Sequence, residues 1–375
     1  MKTRLSDTCG VGNVLRKKLK SIREVGEIET RNIITTISKN GKGNLRKNMD
    51  TVINERNIVK HNEFETFNED CIVWMKNNKE KQFDLCVFSP PFASVYAYSN
   101  NPGDMGNSKD CDDEFLMHHQ FFVNALFPVI KEGRNVCVHI QNPARSIINH
   151  GYIGIWDMRG EIIRQFESAG FYYYGEATIE KNPQAQSIRT KTQCLSFSQF
   201  VKDSLRSRPA LADYLLIFKK GIKSEAPCTF IKQKNEHGAL ERKDVTNDDW
   251  ISWANPIWQT EENESIYLPY QTCWHTINET NTLNYRAARN KDDERHLCPL
   301  QLDLIERCVR LWSNEGETVF SPFMGVGSEG YIALKWDRKF VGCELKDEYY
   351  NCSNDNLKMA IQEKENDKCQ TSLFQ

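Results

Sequence analysis

An open α/β sheet is the fold this sequence predicts, and three observations carry the prediction. Short apolar runs rich in Val, Ile and Phe alternate with segments whose apolar residues recur at helical spacing. Two of those runs stop abruptly in serine-proline-aromatic loops, Ser89-Pro90-Pro91-Phe92 and Ser321-Pro322-Phe323. A chain of 375 residues, 39% hydrophobic and 27% charged, is also long and apolar enough to bury a sizeable core.

Taken in order, residues 1–55 are polar and basic, with Arg16-Lys17-Lys18, Lys39, Lys42, Arg46 and Lys47, and read as a solvated arm. Phe64 to Asp70 is a strand ending in acids, and Cys71 opens a short helix. Phe83-Asp84-Leu85-Cys86-Val87-Phe88 is a buried strand that runs into Ser89-Pro90-Pro91-Phe92. The loop continues past Tyr96 and Tyr98 to Asn107, too long for a mere connector. A helix is predicted from Phe115 to Ile130, stopped at Gly133, and a second buried strand over Asn135 to Ile140. Asp157 to Ser168 is a helix closed by Gly170. Phe171 to Thr178 and Ala212 to Phe218 are strands flanking a basic loop with Lys181, Arg189, Lys191, Arg206 and Arg208. Residues 221–290 change character: polar, carrying Trp250, Trp253, Trp258 and Trp274, without a long periodic helix. Leu300 to Trp312 is an amphipathic helix, and Glu317 to Phe320 a strand feeding a glycine-rich turn. Ser328 to Trp336 is helical, Lys339 to Glu344 is a strand ending in an acid, and the charged tail from 358 is expected to fray.

Composition excludes several classes of protein. The formal net charge of −2 gives no global attraction to nucleic acid or membrane, so any DNA-binding surface must be local. No apolar run approaches the ~20 residues of a membrane span, and the N-terminus lacks a signal-peptide core. Thirteen scattered cysteines without a Cys-x-x-Cys pair point to reduced thiols in a cytoplasmic protein, with no metal site.

The chemistry concentrates in the two loops. Each proline removes an N–H and fixes φ, so Ser89-Pro90-Pro91-Phe92 is stiff and offers oxygen acceptors beside an aromatic face. Gly325-Val326-Gly327-Ser328-Glu329-Gly330 lies between a strand and a helix, where glycines admit a ligand close to the backbone. Glu344 at the end of the next strand can accept two ribose hydroxyls. Taken literally this is the dinucleotide fingerprint, which makes a NAD-dependent oxidoreductase one reading. Pro322-Phe323 directly before the glycines and the late position of the unit argue against it.

Together, Ser89-Pro90-Pro91-Phe92 and Ser321-Pro322-Phe323-Met324-Gly325-Val326-Gly327 resemble the catalytic and cofactor motifs of amino-group DNA methyltransferases, which use S-adenosylmethionine. The catalytic motif comes first and a long variable segment follows, as in the circularly permuted β class. Residues 157–218 and Asp293-Glu294-Arg295-His296 further resemble methylases of phages and prophages. The resemblance implies a Rossmann-like methyltransferase fold with a mixed, mostly parallel seven-stranded sheet and helices on both faces. It assigns Ser89, Pro90, Pro91 and Phe92 to catalysis. It assigns Asp70, His296, Pro299, Ser321, Phe323, Gly325, Gly327 and Glu344 to the cofactor, with Asp70 near the adenine and Glu344 on the ribose. Ser321 departs from the family's usual Asp, and on that departure rests a third reading, a non-catalytic DNA-binding homologue.

The organisation this implies is a catalytic half over 56–220, a variable segment over 221–290 for target recognition, a cofactor half over 291–357 and a tail over 358–375. The expected partner is double-stranded DNA, and a cognate restriction endonuclease is a further candidate. An exocyclic amine is conjugated with its ring and is a poor nucleophile. Ser89 Oγ and the Pro90 carbonyl are the acceptors that would draw its hydrogens out of plane. The base must leave the duplex to reach them, with Phe92 as its stacking face. Serine rather than aspartate at position 89 resembles cytosine-N4 enzymes, which places N4 of cytosine ahead of N6 of adenine.

Overall fold

A computed structural model describes residues 58–91, 105, 112–145, 147–182, 201, 208–221, 232–258, 277–284 and 299–373. All of these belong to the compact unit that begins at Ile58. The basic arm, Phe92, Tyr96, Tyr98, Arg189, Lys191, Arg206, Trp274 and His296 lie outside the described residues.

The strands are β1 (Ile58–Lys60), β2 (Phe64–Phe67), β3 (Phe83–Phe88), β4 (Ile130–Gln141), β5 (Ala144–Arg145), β6 (Gly154–Ile155), β7 (Phe171–Ile179), β8 (Asp213–Lys220), β9 (Lys232–Lys234), β10 (Leu240–Arg242), β11 (Ile257–Trp258), β12 (Thr318–Ser321) and β13 (Lys339–Cys343). The helices are α1 (Cys71–Asn77), α2 (Asp112–Val129), α3 (Ile147–His150), α4 (Met158–Ser168), α5 (Asn247–Trp253), α6 (Leu302–Trp312), α7 (Ser328–Lys335) and α8 (Asp347–Leu373). The main sheet runs β1-β2-β13-β12-β3-β4-β8-β7-β11. Its seven inner strands are the expected ones, parallel except for β8, which pairs antiparallel with both β4 and β7. Short strands β1 and β11 extend the two edges to nine.

Alternation along the strands sends side chains into two cores. Leu85 and Val87 of β3, Val319 of β12 and Phe340 of β13 face α6, α7 and α8. Cys86, Phe88, Phe320 and Val341 face α1, α2 and α4. On that second face Phe83 stacks on Phe320 at 4.4 Å with an interplanar angle of 12°, and Trp74 covers Phe320 at 5.6 Å. Such pairs fix the register between β3 and β12 as well as burying area.

Two features differ from the sequence expectation. Strand β4 begins at Ile130, directly after α2, because Lys131 reaches Asp84 at 2.7 Å and Arg134 pairs with Glu317. The polar run Lys131-Glu132-Gly133-Arg134 conceals this extension. The tail does not fray at 358: α8 runs to Leu373, with Leu357 and Ala360 fully buried and Lys364 paired with Glu63 at 2.9 Å. One narrow apolar stripe is enough to dock a helix whose overall composition is polar. Within 221–290, Trp253 and Trp258 are core residues. Arg307 lies 5.0 Å from the Trp258 ring and Arg310 4.8 Å from that of Trp253. Trp250, in contrast, is exposed.

Candidate active site

Strands β3 and β12 are parallel neighbours in the register Leu85 to Val319 and Cys86 to Phe320. The Ser89-Pro90-Pro91 and Ser321-Pro322-Phe323 segments therefore leave the sheet side by side at its carboxyl edge. From β12 the chain moves to β13 on one side, and from β3 to β4 on the other. The pair marks the topological switch point, where open α/β sheets bind their ligands. Phe323 packs on Phe88 at 5.6 Å and on Phe122 at 4.9 Å, which ties the two loops together. Pro90 is buried and Ser89 and Pro91 are half-buried.

The glycine loop is built by its own backbone. Met324 N–H donates to the Cys343 carbonyl at 3.0 Å, and Gly327 N–H to the Met324 carbonyl at 2.7 Å. Gly327 is the N-cap of α7 with φ +87°, and a Cβ there would sit 3.0 Å from Ser353 Cβ. Gly325 has φ +52° with no atom within 4 Å of where its Cβ would be, so this backbone faces open space. Glu344 accepts from Gly325 N–H at 2.8 Å and from Lys346 N–H at 2.9 Å, joining the loop to the end of β13. Asp70 is the N-cap of α1, accepting from Ile72 N–H at 2.7 Å. Burial raises the Cys71 thiol well above its ordinary range, and the Asp70 and Glu344 carboxylates raise it further. Glu344 N–H donates to the Phe67 carbonyl at 3.0 Å, so the end of β13 meets the end of β2 just before α1. Pro299 is half-buried, next to buried Leu300 ahead of α6.

Two buried hydroxyls flank the loop, Ser321 Oγ and Ser328 Oγ, and neither has a hydrogen-bond partner among the described residues. Unpaired buried polar atoms are costly and are ordinarily met by a ligand, an ion or ordered water. Glycine backbone, two free hydroxyls and an acid at the next strand end fit a small polar cofactor.

Glu329, the second residue of α7, is fully buried, and burial pushes its carboxyl up to about 8. The unfolded chain gives up this proton near 4.5 while the fold keeps it to about 8, so stability should fall as pH rises through that window. The expected slope is ~1.4 kcal/mol per pH unit, and Glu329→Gln should flatten it; urea melts at pH 5, 6, 7 and 8 provide the check.

Sequence reasoning overlooked a polar array behind Ser89. The Ser89 hydroxyl lies 3.1 Å from the His139 carbonyl oxygen and 3.4 Å from His139 Nδ1. His139 Nε2 is 3.0 Å from Asp213 Oδ2, which also receives Lys181 Nζ at 2.8 Å. Gln141 donates to Asp213 Oδ1 at 2.7 Å. Burial alone would raise the Asp213 carboxyl, but the His139 hydrogen bond and the Lys181 charge outweigh it and hold the group below its ordinary range. The signal available was a lone histidine inside an otherwise apolar strand.

Of the residues expected at the site, the fold brings Ser89, Pro90 and Pro91 together with Ser321, Phe323, Gly325, Gly327 and Glu344 at adjoining strand ends, and Asp70 caps the helix that follows β2, whose end Glu344 N–H meets at Phe67. Phe92 and His296 lie outside the described residues.

A family model for DNA methylases matches residues 83–355. A type II methyltransferase of Bacillus subtilis, M.BglI, is 24% identical over 192 residues, 51% of this chain and 40% of that protein. The chain spans less than half the length of the first curated relatives it matches. Among solved structures, a DNA modification methylase of Thermus thermophilus complexed with S-adenosyl-L-methionine aligns with a TM-score of 0.52 at 16% identity, over 78% of this chain and 92% of that one. The PvuII cytosine-N4-specific DNA methyltransferase gives a TM-score of 0.52 at 16% identity, over 82% and 93%. These two likenesses bear on the fold. The family match covers most of the chain and replaces the oxidoreductase reading of the glycines: this chain belongs to the N6/N4 DNA methylase family.

Proposed function

We propose that the chain transfers a methyl group from S-adenosyl-L-methionine to an exocyclic amine of a base flipped out of double-stranded DNA, N4 of cytosine in first place. The observation that supports this most is the placement of the proline loop beside the glycine loop at one switch point. The cofactor supplies an electrophilic methyl group on a sulfonium. In this reading Gly325 and Gly327 let the backbone approach it, Glu344 holds the ribose, Asp70 lies toward the adenine, and Ser321 and Ser328 meet its methionine end. Pro299, just ahead of α6, belongs to the same cofactor set, and the family resemblance adds His296 to it.

Ser89 Oγ and the Pro90 carbonyl accept the two amine hydrogens, which redirects lone-pair density out of the ring plane. Pro90 and Pro91 have no N–H with which to compete for those acceptors. Phe92 stacks on the flipped base. Serine at position 89 is the ground for preferring cytosine; adenine N6 is the second reading, with the same acceptors and a larger base. The segment 221–290 reads the target sequence.

The test is sequencing of genomic DNA from cells expressing the protein, by a method that distinguishes 4-methylcytosine from 6-methyladenine. Modified cytosine at one recurrent sequence supports the reading, and modified adenine transfers it to the second base. DNA left unmodified by a protein that binds S-adenosylhomocysteine returns it to the non-catalytic homologue.

A further inference from the structure

Ser89, His139 and Asp213 form a hydroxyl–imidazole–carboxylate array that amine polarisation alone does not need. Ser89 follows β3, His139 is in β4 and Asp213 starts β8, so three adjacent strands supply one residue each. The carboxylate takes three donors, from His139, Lys181 and Gln141, and is 5% exposed. An ionised Asp213 requires a hydrogen on His139 Nε2, which leaves a lone pair on Nδ1, the atom that faces Ser89 Oγ.

This array has the atoms of a hydrolytic triad but not the setting of one. A serine nucleophile on such a strand end takes its oxyanion donor from the backbone N–H of the next residue. Here the next residue is Pro90, which has none, and Pro91 follows it. Ser89 is thus placed to pass on a proton without an oxyanion site to support acyl chemistry.

We propose that His139 accepts the proton that methyl transfer releases at the target amine, with Ser89 as the bridge. The N–C bond forms as the S–C bond breaks, and the electron pair of the broken bond stays on sulfur. The methylated nitrogen then carries one hydrogen too many. That proton passes to Ser89 Oγ as the Ser89 hydroxyl proton moves to His139 Nδ1, giving an imidazolium held by Asp213. The products are a neutral thioether, a neutral methylated base and a protonated histidine that returns its proton to solvent. The 3.4 Å separation is long for such a transfer, as hydrogen bonds of this kind often are until substrate is bound. Among the described residues, the charged groups facing the ring are Asp213 from β8 and, behind it, Lys181 from the segment after β7. Ser89 at the end of β3 and Gln141 on the histidine's own strand are neutral.

The inference rests on the proposed methyltransferase reading, and its test separates the two. Single-turnover methyl transfer to DNA carrying the recognition sequence is measured from pH 5 to 9 for the wild type, His139→Gln and Asp213→Asn. Wild-type transfer should rise from acid to neutral pH, as a proton acceptor that must start out empty requires. His139→Gln should lose about 10²-fold at neutral pH, with S-adenosylhomocysteine binding unchanged and the acid limb abolished. Asp213→Asn, which removes the charge that fixes the ring, should also lose activity and shift the limb. If His139→Gln does not fold, the wild-type profile decides: a rate flat from pH 5 to 9 overturns the proposal. An active His139→Gln within threefold of wild type, with its acid limb intact, overturns it as well. A wild-type protein that methylates no DNA at all refutes the underlying reading instead.

Discussion

Ser89→Ala is expected to lower methyl transfer to DNA by about 10²–10³-fold, the usual cost of removing one hydrogen-bonding group aimed at the reacting centre. The fold should tolerate the change. The half-buried hydroxyl donates to the His139 carbonyl at 3.1 Å and has a longer contact, 3.4 Å, to His139 Nδ1, and their loss costs about 1 kcal/mol. Binding of S-adenosylhomocysteine should not change, because the glycine loop and Glu344 are built on β12 and β13 without Ser89. Labelled methyl transfer beside a thermal-shift titration makes the check. A variant that keeps wild-type rates removes Ser89 from the chemistry, whereas one that loses cofactor binding gives the serine a structural task.

The largest effect on stability is expected at the opposite edge of the same two strands. Asp84 of β3 is 3% exposed and joins that strand to both β12 and β4. It accepts from Thr318 N–H at the start of β12 at 3.0 Å, from Lys131 Nζ of β4 at 2.7 Å, and lies 3.6 Å from Arg134 Nη2. Asp84→Ala strips the acceptor from a backbone donor and removes the counter-charge from two cations. The expected loss is about 3 kcal/mol, the low end for removing one partner of a buried pair, since Arg134 keeps Glu317 and Lys131 can turn to solvent. Asp84→Asn retains an acceptor for Thr318 and should lose roughly half as much. Urea midpoints at constant m report both, and equal losses for the two variants would place the effect in the charge alone.

The sequence made the inner strands visible because their apolar runs are cut by proline, glycine or acid at fixed points. Strand β12 lies between Gly316-Glu317 and Pro322, and β3 ends at Ser89-Pro90-Pro91. The early start of β4 was hidden because a strand held by Lys131 and Arg134 to partners elsewhere reads locally as solvent-facing turn. The docked end of α8 was hidden because its buried stripe is a few residues wide in a charged helix.

The candidate site divides along the same line. The two loops are contiguous motifs, each carrying its chemistry within a few residues. His139 and Asp213 are single residues 74 apart, and only the antiparallel pairing of β4 with β8 places them together. No local pattern encodes that pairing. Lys181 shows the same limit from the other side: in the sequence it is one cation of a basic loop, and in the fold it pairs with a buried carboxylate.

The order of strands in the sheet also bears on how the protein is made. Strands β12 and β13 come from the last part of the chain and insert between β2 and β3, which are synthesised early. Thr66 and Asn354 are hydrogen-bonded across 288 residues of sequence, a stretch that a ribosome takes roughly 15–60 s to complete. During that interval β3 can pair with β4 but has no neighbour on its other side, and all six of its residues are ones the finished sheet buries. An unpaired apolar strand of this kind is a template for aggregation. A chain truncated before Thr318 lacks both the glycine loop and the β12 neighbour of β3.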